Sequence, residues 1–407
     1  MNEEENKNEI CENPPETVGK KKCPDFILSA ADKLKKIPSN LRKFIKTSPL
    51  FFKIAACLAI LSGIIQIVSV VFEPFADFVI KYPNAAVRFC LAKLTNLIPF
   101  SVGEMIVILL PLMFVSMITL GIFLAVKNNN KGYQRYLSAL LSVLCFIYSM
   151  FVLTLAPGYH GRSLAQKTGL EQNAVSAEEL YDTSVWLSGM VDKYIGEVNF
   201  DIDGASVMPY SLDEMNDKIN DAYSNLCKKY DFISPLRSNI KYVILSKPWT
   251  YTHIAGVYTY YTGEANLNVN FPDYTLPFTT AHEFAHQRGT APENEANFVA
   301  FLACIESDDP YILYCAYANM LEYCMDALYS ADHDMYYEAY GKFDRNLSGE
   351  YNAYSVFFEK YRENTVAKVS TTVNDTYLKS QGQTAGSKSY GLVVDLAVSY
   401  YHHVNEE

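Results

Sequence analysis

The sequence predicts a chain in two parts: an α-helical membrane part with three transmembrane helices, then a mainly helical α+β domain with a small sheet. Three observations predict this. Residues 54–72, 105–126 and 137–156 each lack any charged residue. Each run is about as long as a helix needs to cross a ~30 Å hydrocarbon core. All three runs fall in the first 160 residues; beyond them the pattern changes to capped amphipathic helices around a short stretch of period-two alternation. The division that follows is a tail over 1–50, a transmembrane region over 51–158 and a domain over 159–407.

The opening stretch, "MNEEENKNEICENPPETVGKKKC", is polar and poor in apolar residues and reads as a disordered tail. A cleaved signal peptide fits poorly, because the first apolar run begins some fifty residues in and two more follow. Pro111 inside the second run is tolerated in a membrane helix, where neighbours re-satisfy the freed carbonyl. Residues 82–100 read as a helix lying at the membrane interface. Lysine and arginine set the orientation. Lys33, Lys35, Lys36, Arg42, Lys43, Lys46 and Lys53 precede the first run, and Lys127, Lys131 and Arg135 lie between the second and third. The link between the first two carries Lys81, Arg88 and Lys93, offset by Glu73, Asp77 and Glu104. A cytoplasmic N-terminus follows, and three crossings place the domain outside the cytoplasm of a multi-pass cell-membrane protein. The lipid bilayer is thus the first expected partner.

Composition narrows the rest. A formal net charge of -11 argues against a nucleic-acid partner. The 9 cysteines include no CxxC pair and no zinc-finger spacing, so no disulfide framework is implied. Cys315 and Cys324 could bridge, but buried free thiols are the favoured reading.

In the domain, Ser176 with Glu179 and Ser211 with Glu214 fit capping boxes. "IKYVILS" (240–246) reads as a strand, and "GVYTYYTGEANLNVN" (256–270) as a hairpin turning near Thr262 and Gly263. Helical patterns return over 309–329, 332–344, 350–378 and 388–403.

Between hairpin and helices stands "TTAHEFAHQRGTAPENEANFVAF" (279–301). His282 and His286 lie four apart, so a helix puts both imidazoles on one face. Zinc accepts such nitrogens at about 2.0–2.1 Å. Glu283 projects beside the first histidine, able to reach a metal-bound water without ligating the metal, as in the H-E-x-x-H arrangement of metallopeptidases. Thr279 and Thr280 can cap this helix and Gly289 can end it. A catalytic zinc needs a third protein ligand. Glu293 and Glu295 both fall in the first turn of a helix starting at Pro292, where either could simply favour the helix dipole. Glu295 shares the stripe of Phe298 and Leu302, whereas Glu293 lies about 200° away at 100° per residue. Glu295 is therefore the expected ligand, Glu293 is expected to face solvent, and Glu264 is next in line.

"PFTTAHEFAHQRG…ENEANFVAFLAC", with "YTGEANLNV" upstream and "YLKSQGQ…GSKSYG" downstream, resembles a family of bacterial multi-pass membrane proteins. That family is catalogued only as a domain of unknown function in the zincin-like metallopeptidase group. The resemblance covers the three apolar runs and nearly all of 150–403. It implies a zinc-dependent, zincin-like fold and no particular substrate. "EANFVAFLA" is also similar to a stretch of cytoplasmic HExxH peptidases that cleave phage-type repressors, whose glutamate is the third metal ligand. The matching residue is Glu295.

These readings lead to a membrane-anchored zinc metallopeptidase acting on a peptide or protein. His282, His286 and Glu295 would hold Zn²⁺, and Glu283 would take the proton of a zinc-bound water and pass it to the leaving amine. The strand "ANLNVN", with Asn266 and Asn268 as substrate-binding candidates, is either the sheet edge along which a peptide pairs or an ordinary internal strand. The resemblance points to Tyr390 as oxyanion donor, with Tyr258 a second candidate. Two other readings stand beside this one: a catalytically silent metal-binding receptor or scaffold, and a zinc-dependent hydrolase of cell-wall amides.

Overall fold

The computed structural model describes residues 39–171, 174–384 and 392–406. Tyr390 lies outside the described residues. A short helix α1 (Ser39–Thr47) leads into the first apolar helix, α2 (Leu50–Val71). Then come α3 (Glu73–Val79), a π-helical turn (Ile80–Asn84) and α4 (Ala85–Thr95). The other apolar helices are α5 (Val102–Val126) and α6 (Asn130–Thr154).

The helices α2, α5 and α6 are long and apolar enough to cross a membrane. Their large side chains stay on the outside: Ile64 is 55% exposed, Leu112 64% and Leu144 63%. Helices α2 and α6 pack along each other, and small hydroxyls, Ser62, Ser69, Ser138 and Ser149, are buried along them, with Met150, Val152 and Thr154 joining at the domain end of α6. That is the inverse of a water-soluble core and the arrangement expected where lipid is the solvent.

After a 3₁₀ turn (Ala156–Tyr159) come α7 (Leu164–Thr168), α8 (Ala177–Asp192), a second 3₁₀ turn (Ile195–Glu197) and the hairpin β1 (Asn199–Phe200) with β2 (Ser206–Val207). The chain continues through α9 (Leu212–Lys229), β3 (Lys241–Tyr242), α10 (Ser246–Thr250), β4 (Gly256–Thr259) and β5 (Glu264–Leu267). It ends with α11 (Thr275–Arg288), α12 (Glu293–Ile305), α13 (Pro310–Ala331), α14 (His333–Tyr340), α15 (Arg345–Arg362), α16 (Thr365–Ser380) and α17 (Val393–Glu406). The capping box at Ser176 forms in full, while Ser211 accepts from Glu214 N.

Two local expectations need correction, and one left open is resolved. The expected helix over 350–378 is two, because Asn364 caps α16 by accepting from Ala367 N. The histidine helix starts at Thr275, so Thr279 and Thr280 are interior rather than capping. The sheet order is β3-β5-β4, with β5 parallel to β3 and antiparallel to β4. The strand carrying Asn266 is therefore internal, and β4 is an outer strand. Helix α11 lies on this sheet, α12 and α13 pack against α11 and each other, and α9 and α8 flank them. Phe284, Phe298, Phe301 and Tyr314 lie at their centre, almost fully buried. Burying one such side chain is worth roughly 1.5–3 kcal/mol. Cys304, Cys315 and Cys324 are free and buried there.

Membrane part and domain are joined by buried polar groups. Residues 82–100 buttress the domain on their inner side: Arg88 is 1% exposed and donates to the carbonyls of Ile80, Thr154 and Arg288. Lys241 donates to Thr95 O and Ile98 O at the end of α4. The Glu264 carboxylate accepts from Val102 N and Gly103 N, capping α5 from the domain side. Glu104, in turn, accepts from Ile244 N and Leu245 N.

Candidate metal centre

Helix α11 is held from every side before any histidine is considered. Tyr223 donates its hydroxyl to Ala281 O at 2.6 Å. Gln287 donates to Ser238 Oγ and Gly263 O. Arg288 lies 3.9 Å over the Tyr223 ring and donates to Phe284 O and Leu236 O. Burial lowers the Arg288 pKa to about 10, which Tyr223 partly opposes. The helix stops at Gly289, whose φ of 107° is a left-handed conformation that favours glycine. Gly289 N and Thr290 N then donate back to His286 O and Ala285 O, and the chain reverses into α12 at Pro292.

The reversal brings three donor atoms together. His282 Nε2 and His286 Nε2 are 3.0 Å apart. Glu293 Oε2 is 3.2 Å from the first and 3.3 Å from the second. His286 donates its Nδ1 proton to Thr290 O at 2.7 Å, which turns Nε2 toward the other two atoms. The carboxylate is that of Glu293, which corrects the expectation for Glu295. Glu293 is 8% exposed and does not face solvent. Glu295 instead accepts from Leu164 N at 2.8 Å, capping α7. Glu264, the next candidate, is occupied by the start of α5.

The physical reason lies in how α11 and α12 meet. Glu293 shares a helical row with Asn297, Ala300 and Cys304, and Cys304 Sγ lies 4.0 Å from Pro277 O of α11. This row of small residues lets the two helices approach. The bulky row of Phe298 and Leu302 does not mark the direction of the site, because α12 is buried all round.

Burial disfavours a charge on His286, but Glu293 more than offsets it and raises its pKa to about 9. Glu293 is pulled far below the usual carboxylate range: burial opposes its charge, and the two imidazoles outweigh that. Glu283 lies beside the cluster, 4% exposed, and burial pushes it up to about 7 against the pull of the imidazoles. Its Oε2 has no hydrogen-bond partner. Gly256 of β4 makes room for it, since a Cβ there would fall 2.5 Å from Glu283 Oε1.

The remaining candidates lie away from the cluster. Asn266 donates to Val257 O, Thr259 Oγ1 and Glu264 O inside the sheet. Asn268 donates to Thr250 Oγ1 and Ile254 O. Both are 1% exposed, so their amides organise the hairpin and present no surface to a peptide. Tyr258 points from β4 toward Leu155 and Ala291, where burial raises its pKa to about 12 against the pull of Arg88. Tyr377 of α16 was not singled out by the sequence reading. Its hydroxyl lies 3.1 Å from that of Tyr159 and is close enough to Glu293 for that charge to raise its pKa, behind the larger effect of burial. The only sequence signal for it was the quoted "YLKSQGQ" stretch.

A tetrahedral site with bonds of about 2.0–2.1 Å would put its donors ~3.3 Å apart. The three separations here, 3.0, 3.2 and 3.3 Å, fit that spacing. Two imidazole nitrogens and one carboxylate converging on one point suit a divalent cation, which would take the place of the proton that Glu293 favours on His286. No curated protein and no solved structure matches this chain. The profile of one family matches residues 82–398, and the chain belongs to that family, described as a protein of unknown function, DUF3810.

Proposed function

We propose that this chain is a membrane-anchored, zinc-dependent peptidase of the zincin-like kind, with His282, His286 and Glu293 as the metal ligands. One observation carries the reading: three lone-pair donors within 3.3 Å of one another, beside a buried glutamate whose Oε2 has no partner. A zinc ion held there would supply Lewis acidity toward a scissile carbonyl and acidify a coordinated water. Thr290 O fixes the tautomer of His286, and Pro292 and Gly289 fix the reach of Glu293. Glu283 is the proton carrier: its carboxyl is held against Gly256, with one oxygen free to accept a proton from water and return it to the leaving amine. The lysine and arginine asymmetry supports an extracytoplasmic domain.

The test is metal analysis of the purified full chain together with hydrolysis of randomised peptides, with and without a chelator. Bound zinc near one equivalent and chelator-sensitive hydrolysis are expected. Glu283→Gln should keep the zinc and lose about 10²–10⁴-fold in turnover, the span of general acid–base catalysis. Hydrolysis unchanged in that variant would exclude Glu283 as the base.

A further inference from the structure

The candidate centre is built directly onto the ends of the apolar helices. In the third of these, no charged residue follows Arg135 until Arg162. The uncharged stretch 137–156 fills a ~30 Å core at ~1.5 Å per residue, which puts the hydrocarbon boundary near Ala156. Two residues later, Gly158 lies against the link between the two ligand-bearing helices: a Cβ on it would fall 2.7 Å from Ala291 Cβ and 2.8 Å from Gly289 O. Glu293 is two residues beyond Ala291, at most ~7 Å of chain.

The second apolar helix gives the same answer from the other side. Its uncharged run begins after Glu104, and a Cβ on Gly103 would fall 2.9 Å from Thr259 Oγ1 at the end of β4. Gly256, against Glu283, is three residues up that strand, ~10 Å at the rise of a β-strand. Both routes put the centre within roughly 10–15 Å of the hydrocarbon boundary, the reach of about three to five extended residues.

The surroundings at that level are aromatic and apolar. Phe151 near the end of α6 meets Tyr260 at 5.3 Å and Tyr377 at 6.1 Å, and Tyr159 meets Tyr377 at 6.4 Å between ring centroids. Tyrosines gather at such depths because ring and hydroxyl suit the two sides of the interface. On α16, Val366, Val369 and Val373 continue the stripe of Tyr377 at helical spacing and are 52%, 58% and 64% exposed.

Resting on the peptidase reading above, we propose that the substrate is the juxtamembrane segment of a membrane-anchored protein, cut within about five residues of the bilayer surface. A peptide emerging from the same bilayer meets β4 and Glu283 as it leaves the headgroups. A folded soluble protein is kept from that depth by the membrane itself.

The experiment uses the full chain in phosphatidylcholine vesicles with peptides of twenty randomised residues, either joined at one end to a dipalmitoyl anchor or free. Mass spectrometry reads the cut positions. Cuts in the anchored set should concentrate in the six residues next to the anchor, at least ~10-fold over the distal eight. Even cutting along the anchored peptides, or equal cutting of the free ones, would overturn the inference and leave the peptidase reading standing. No hydrolysis of either set would overturn both. Glu283→Gln supplies a readout that needs no turnover. Anchored peptides bearing a benzophenone four residues from the anchor should crosslink to 256–261, and crosslinks confined to other segments would overturn the inference.

Discussion

The junction between the apolar helices and the domain, and the cluster at the end of α11, both bury charge, and they treat it in opposite ways. At the junction each carboxylate meets backbone amides: Glu104 takes Ile244 N and Leu245 N, and Glu264 takes Val102 N and Gly103 N. Each cation meets carbonyls, Lys241 at Thr95 and Ile98, Arg88 at Ile80, Thr154 and Arg288. In the cluster, two imidazole nitrogens and a carboxylate face one another, and Glu283 Oε2 has no partner. A buried charge satisfied by backbone is architecture, because its hydrogen bonds offset the loss of water. Three possible ligand atoms converging on one point, beside an unpartnered carboxylate oxygen, mark a candidate place for a cation.

The contrast is broken most severely by removing a cluster carboxylate. Structural zinc is worth roughly 10–16 kcal/mol in small folded sites, so one ligand of three carries about 3–5 kcal/mol and Glu293→Ala should weaken zinc binding about 10²–10⁴-fold. Competition with a chromophoric chelator measures this directly. An unchanged affinity would remove Glu293 from the ligand set.

The corresponding break at the junction is Arg88→Met. Three buried carbonyls lose their donor, at roughly 1 kcal/mol each, for a total near 3 kcal/mol. Relief of a buried cation whose pKa burial lowers to about 10 works the other way, so about 2 kcal/mol is the expected net loss. Melting in detergent micelles should report several degrees, at about 2–4 °C per kcal/mol. Because Arg88 holds Arg288 O at the end of α11, zinc affinity should fall as well, by less than tenfold. A melting temperature equal to wild type would show that the junction is not structural.

Glu322 of α13 sharpens the contrast, being a carboxyl with only a neutral donor, the Tyr274 hydroxyl at 3.2 Å. Burial, with Asp326 adding to it, raises its pKa from 4.5 to about 7. The folded state thus keeps a proton that the unfolded chain releases. Its contribution to stability is full below pH 4.5 and is lost as pH rises through 7. Glu322→Gln stays neutral throughout. Relative to wild type it should gain stability between pH 4.5 and 7.5, by about 2 kcal/mol once partial exposure is allowed for. Tyr351, Tyr354 and Tyr323 also face this carboxyl and stay neutral over that range, so they do not mask the trend. Chemical unfolding of both proteins with chelator present tests it, and a constant difference across pH would contradict it.

What was legible in the sequence follows the reach of the forces involved. The apolar helices were legible because some twenty uncharged residues in a row give a helix long and apolar enough to cross a membrane; the expected 54–72 became Leu50–Val71 and 105–126 became Val102–Val126. The histidine pair and the stop at Gly289 were legible because they are set within one helix. Glu104 and Glu264 were not, since each caps an element about 140 to 160 residues away. The position of β5 inside the sheet was hidden for the same reason: its pairing with β3 is parallel and passes through a crossover. The choice between Glu293 and Glu295 failed because bulky residues were taken to mark the inward face. In a helix buried all round, small residues mark the closest approach instead.

That choice yields the smallest expected effect. Glu295 caps the first turn of α7 through Leu164 N, and burial raises its pKa against the pull of Leu164 N and Lys167. Glu295→Gln keeps an oxygen for Leu164 N and removes a charge that the surroundings disfavour, so stability should change by less than about 0.5 kcal/mol. Glu295→Ala loses the hydrogen bond and should cost about 1 kcal/mol. Neither substitution touches the three atoms around His286, and both should hold zinc as tightly as wild type. Side-by-side chelator titrations of Glu293→Ala and Glu295→Ala decide the matter. A drop in the second equal to that in the first would return Glu295 to the ligand set beside Glu293, and a drop in the second alone would leave Glu293 as a partner of the imidazoles only.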